Sequence, residues 1–214
     1  MTIRLCLMGF VTLMAVSNYA QADKTDTAPI DACAYDNAAM LSLDLRAFDQ
    51  DLSNGGGGWR KIGNISGCER AAADLINEYR KANPTAKGLL TWHEGQMRAS
   101  VGQYAQAIEL FEQSRKKSEE DRAGWNFYVD ASIAFLKRDK AALLVSHEQL
   151  SKVPAQEGTK LKNGYFEIAR NGAPSYWMRW PPNIDVVNGF LNCFEKSYDE
   201  AYKSTCRPPK ADQP

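Results

Sequence analysis

The sequence predicts an all-α fold of stacked antiparallel helix pairs, and three observations carry that prediction. Through most of the chain the apolar side chains recur at steps of three and four, the spacing of one helix face. Leu89 to Ser118 reads as two short helices hinged at Gly102, with Ala107 and Phe111 facing back onto the first. The phrase recurs weakly on either side: Ala72, Ala107 and Ala142 stand 35 residues apart, Gly67 and Gly102 share that step, and Pro84 and Pro154 are two steps apart. Self-similarity at such a period marks units that hide their apolar faces only by stacking on neighbours.

The first 22 residues read as a signal peptide: Arg4 supplies the positive region, Leu5 to Val16 the apolar core, and Ala20-Gln21-Ala22 a small-x-small cleavage site. The apolar core falls short of the ~20 residues that span a bilayer, so no membrane span is expected. Residues 23–32 form a flexible lead-in, 33–207 a single helical domain, and 208–214 a disordered tail. Cys6 leaves with the leader, and Cys33, Cys68, Cys193 and Cys206 remain. An even number in an exported chain argues for two disulfides, with three pairings open. A four-thiolate zinc site needs close cysteine pairs, and the nearest two here are 13 residues apart. Shorter closed loops favour Cys33–Cys68 and Cys193–Cys206, but only modestly, since closure entropy grows slowly with length.

Without Arg4 the chain carries 25 basic and 26 acidic residues, a net charge near −1. That balance offers no electrostatic case for nucleic acid or an anionic membrane. The run Arg115-Lys116-Lys117 is followed at once by Glu119-Glu120-Asp121, as on a solvated helix end.

Taken in order, residues 34–52 form an amphipathic helix with Met40, Leu41, Leu45, Phe48 and Leu52 on one side and Asp31 as its cap. The glycines at 55–58 stop it, being the residues that lose most backbone freedom in a helix. Residues 59–65 can supply only a short helix. From 66 to 81 a stripe of Ala72, Leu75, Ile76 and Tyr79 returns, with Ser66 and Glu69 as a capping box and Asn83-Pro84 as the stop. Helix pairs then follow at 88–100 with 104–117, and at 125–137 with 140–152. In the second pair Lys137-Arg138-Asp139 must make the turn that glycine makes in the first, which Asp does through local side-chain bonds. The C-terminal cap, 155–207, is irregular with a short helix near Tyr165–Arg170, an aromatic segment from Tyr176 to Trp180, and a last helix from Ile184 to about Tyr202 capped by Asn183. A helix unbroken to Ser204 would strain a Cys193–Cys206 bridge.

The alanine and glycine spacing from Gly67 to Pro154 resembles the tetratricopeptide repeat, a helix-turn-helix unit of about 34 residues. The glycine run departs from that pattern, and Lys137 stands where earlier units have glycine. The resemblance implies that the helices at 34–52 and 184–202 cover the ends of the array. It also implies a surface, lined by the first helix of each unit, that binds a protein or peptide. On that pattern the surface holds Leu89, Trp92, Gln96, Ala99 and Ser100 from one unit, and Phe127, Ala131 and Phe135 from the next. Of the cationic cluster with which some relatives grip a terminal carboxylate, Arg98 and Asn126 are the only approximations. The aromatic face either meets a partner or is core beneath the Tyr176–Trp180 segment; Trp177 and Trp180 are candidate binding residues in their own right.

No catalytic motif rises above background. His93-Glu94 and His147-Glu148 lack the second histidine of a zinc protease helix, since Met97 and Ser151 occupy those positions. No G-x-S-x-G is present, nothing selects one carboxylate pair, and no Gly-Lys-Ser/Thr follows the glycine run. The expectation is therefore a non-enzymatic, exported helical-repeat scaffold, periplasmic or secreted, that binds a protein or peptide without cofactor or metal. The alternatives are an inhibitor or immunity-type partner of an enzyme, and a cell-wall or glycan-active enzyme.

Overall fold

The computed structural model describes residues 30–53, 56–86, 88–170, 173–209 and 213–214. The expected signal peptide, the lead-in as far as 29 and residues 210–212 of the expected tail lie outside the described residues. Helices dominate, and the only strands among those residues form one two-stranded sheet. None of the described helices is long and apolar enough to cross a membrane.

The expected helix at 34–52 is divided, and the sequence contains the reason. Two aspartates in that window cap separate starts. Asp36, rather than Asp31, accepts from Ala39 N at 3.0 Å and opens α1 (Asn37–Leu41). Asp44 accepts from Ala47 N at 2.8 Å and opens a π-helical turn at Arg46–Gln50. Side-chain caps of this kind compete with an uninterrupted helix. The wider turn buries two successive residues, Phe48 and Asp49. Phe48 stacks on Tyr79 with ring centroids 3.7 Å apart. After the glycines come α2 (Arg60–Gly63) and α3 (Glu69–Ala82), which buries the expected Ala72, Leu75, Ile76 and Tyr79. Its N-cap is Cys68, not Ser66, while Glu69 reaches back to accept from Gly67 N at 2.9 Å. Cys68 is bonded to Cys33, which ties the N-terminal turns to this helix.

Two helical hairpins follow: α4 (Leu89–Ser100) with α5 (Tyr104–Gln113), and α6 (Trp125–Leu136) with α7 (Lys140–Ser151). Gly102 makes the first turn at φ +83°, and Arg138 adopts φ +58° in the second. Asp139 then caps α7, accepting from Ala142 N at 2.9 Å. The helices start at 89 and 125, and at 104 and 140, a step of 36 residues rather than 35. Leu143, fully buried, therefore takes in α7 the place of Ala107 in α5, and Ala142 is only partly buried. Gly95 matters as much as the alanines, since a Cβ there would stand 2.7 Å from the Phe111 ring.

The C-terminal region corrects two further expectations. Tyr165–Arg170 is not helical; it is β1, paired antiparallel with β2 (Ala173–Arg179) in the register Tyr165↔Arg179, Phe166↔Met178, Glu167↔Trp177 and Ile168↔Tyr176. Aromatic and β-branched residues in this short run suit a pleated surface. The last helix is also broken, into α8 (Ile184–Asn192) and α9 (Tyr198–Tyr202), because Ser197 and Glu200 form a capping box that starts a new helix. Asn183 occupies the N-cap position of α8 at φ +67° but makes no side-chain cap bond. The break lets the chain return, so that Cys193 and Cys206 are bonded with Cα atoms 5.8 Å apart. Both favoured disulfides are thus present. The larger core joins α4 to α9 through Trp92, Phe111, Tyr128, Phe135, Phe190 and Tyr198; a smaller one holds Phe48, Trp59, Ile62, Leu75, Ile76, Tyr79 and Leu90.

Candidate functional site

Two places gather polar side chains. The first is interior. Gly58 sits at φ +52°, and a Cβ on it would lie 2.0 Å from the Phe48 carbonyl, so only glycine lets the chain pass there. Gly57 N donates to Asp51 O at 2.8 Å, folding the run back on the π-helical turn and delivering Trp59 and Arg60 to Asp49. The Asp49 carboxylate is 2 % exposed. It accepts from Trp59 Nε1 at 2.7 Å, lies 2.6 Å from His93 Nδ1 and 3.5 Å from Arg60. Burial pushes its carboxyl up, but the His93 hydrogen bond and charge, the Trp59 bond and the Arg60 charge outweigh burial and hold it at about 2.

One residue along α4, Glu94 is also buried and pairs with Arg80 and, at 3.7 Å, with Arg98. Arg98 continues to Asp74 at 2.7 Å and Gln103 at 3.0 Å. These pairs tie the N-terminal segments to α4. Among the described residues no group of three His, Cys, Asp or Glu side chains is placed to hold a metal ion.

The second place is open. A cleft of about 440 Å³ lies between the β-hairpin, the start of α8 and the segment after α9. Tyr165, Tyr176, Trp177, Met178, Tyr202 and Pro208 give it apolar and aromatic walls; Arg179, Asn183, Asp185, Ser204 and Arg207 give it polar ones. This volume and mixture are those of small-ligand sites. Arg179 Nε donates to Asp185 at 2.9 Å and its Nη2 to the Tyr165 hydroxyl at 2.5 Å, with the guanidinium 4.6 Å above the Tyr165 ring. Arg207 lies 4.6 Å over the Tyr202 ring and donates to the Tyr202 carbonyl at 2.5 Å. The Trp177 carbonyl accepts from Gln213 Nε2 at 3.2 Å, so it faces away from β1.

The residues expected to bind a partner fall into three groups. Trp92, Gln96 and Arg98 are buried and offer no surface. Trp92 is core: it stacks on Phe111 with centroids 4.1 Å apart and meets Trp125 and Tyr128 edge-on or tilted. Of the two readings of the aromatic face, the buried one holds for this residue; what lies over it is Phe111 and α6, not the Tyr176–Trp180 segment. Asn126 bridges the Lys116 backbone, accepting from its N at 3.0 Å and donating to its O at 2.9 Å, and Phe127 is half-buried against the larger core. Trp180 hooks the hairpin to the end of α7 through Nε1 to the Val153 carbonyl, 2.9 Å, and packs edge-on against Phe166. Trp177 alone of the seven lines the cleft.

Sequence reasoning missed Arg207, Tyr202 and Asp185, which lie on different elements, and Arg179, although it stands inside the aromatic segment singled out. Their common signal was absent because only the Cys193–Cys206 return brings 202–209 against the hairpin. No family model, curated protein or solved structure matches this chain.

Proposed function

We propose that the chain is an exported helical scaffold, repeat-like over 67–154, that binds a protein or peptide partner in the periplasm or cell envelope and receives it in the C-terminal cleft. The observation that carries this reading is the cleft itself: an open, aromatic-walled cavity with convergent polar groups. Its anchor is Trp177, half-buried, where an aromatic ring can both rest on the hairpin and meet a partner. The two disulfides suit an oxidising compartment.

The enzyme alternative finds less support. A hydrolytic acid needs a carboxyl kept protonated near neutral pH, whereas the deeply buried Asp49 is held ionised, outside the cleft, among fixed partners. The test is affinity capture from the native compartment with the wild type beside Trp177→Ala. The expected result is a partner retained by the first and lost by the second, with identical circular dichroism; equal capture by both would overturn the cleft as the docking site.

A further inference from the structure

The chemistry of the cleft narrows what it accepts. Among the described residues it is lined by two guanidinium groups and a single carboxylate, Asp185, which Arg179 already engages. Arg207 stands differently. It meets a backbone carbonyl and the Tyr202 ring, and no carboxylate of the described residues pairs with it. A guanidinium that lines the cleft with no carboxylate partner among the described residues favours an anion, and the planar fork fits a carboxylate best. Beside it runs β2, one strand of a two-stranded sheet, with the Trp177 carbonyl turned outward and already accepting an amide donor from Gln213. An outward carbonyl on a strand edge is the acceptor an extended main chain uses when it adds to a sheet.

Resting on the binding reading above, we propose that the cleft binds an extended acidic peptide segment, its main chain taking the place of Gln213 along the outer edge of β2 and a carboxylate side chain on Arg207. The aromatic rings of Trp177 and Tyr202 flank that carboxylate and limit the solvent that would screen it. Arg179, tied to Asp185 and Tyr165, holds the wall rather than the ligand.

The probe is the blocked hexapeptide Thr-Val-Glu-Val-Glu-Thr, compared with its Gln-for-Glu counterpart, titrated into the full chain while the Trp177 indole resonance is followed. The acidic peptide is expected to bind submillimolar, to shift that resonance and to weaken as salt rises; the neutral one is expected to bind at least tenfold more weakly. Arg207→Gln removes the difference between the peptides, whereas Arg207→Lys, which keeps a charge and most of the stem against Gly189, retains part of it. Equal affinities for the two peptides, no shift at Trp177, or a response to a chito-oligosaccharide but not to the acidic peptide would each overturn the proposal, and the first and third need no variant. If the peptides fail while Trp177→Ala still abolishes capture of a native partner, the acidic ligand is wrong and the docking site stands; if capture is unaffected, the docking site itself is wrong.

Discussion

Asp49→Asn keeps the shape of the side chain and one acceptor oxygen but removes the charge on which Trp59, His93 and Arg60 converge. In the folded protein this carboxyl sits at about 2 against an ordinary 3.8. Each tenfold change in a protonation equilibrium is worth about 1.4 kcal/mol, so the ionised form contributes about 2–3 kcal/mol to folding. The sign follows from the depressed value: the contribution is complete above an unfolded pKa near 4 and drains away as pH falls toward about 2. For a urea slope of about 2 kcal/mol per molar, the variant's midpoint at neutral pH should drop by about 1 M. Chemical unfolding of both proteins at several pH values provides the assay. Other carboxylates titrate in both, so the telling quantity is the difference between them, expected to shrink as the medium approaches pH ~2. A difference that stays level with pH, or a variant as stable as the parent, would refute the placement of an ionised Asp49 at the centre of this cluster.

Trp92→Ala should lower stability by about 3–5 kcal/mol, seen as a fall in melting temperature, because it vacates the stack on Phe111 and the contacts to Trp125 and Tyr128. A variant with unchanged melting but lost binding would return Trp92 to the surface. Replacing Cys193 and Cys206 together with serine should cost about 3 kcal/mol in the loop-entropy account, measured by the same unfolding; the Cys33–Cys68 pair, closing a longer loop, should cost about 4 kcal/mol.

The middle of the chain was readable because its signals are local. Gly102, Asp139 and the buried alanines act within a turn of where they stand, and α4 to α7 lie within a few residues of their expected bounds. The one-residue slip was not readable, since it arises in the connection between α5 and α6, before Trp125, and leaves Arg138 rather than Lys137 to take the positive φ that Gly102 has in the first turn. The divisions at 42–45 and 193–197 had legible causes, the aspartate caps and the Ser197–Glu200 box, which an apolar stripe running across them outweighed. Strand β1 was missed for want of length: six residues carry too short a pattern to exclude a helical turn. Trp92 was misplaced because its concealment depends on Gly95 letting Phe111 reach it. The cleft, assembled from separate stretches of chain, showed in the sequence only at the Tyr176–Trp180 segment.

Helix α4 has a consequence for anyone engineering this protein. His93, Glu94, Gln96 and Arg98 look like ordinary water-facing positions, the kind chosen for tags, charge swaps or solubility changes. Here they form the axle of the molecule, with ionic partners drawn from segments as far back as residue 49. Tolerance to substitution should therefore run opposite to hydrophilicity along this rod: Leu89, oily but 43 % open, will accept what Glu94 refuses.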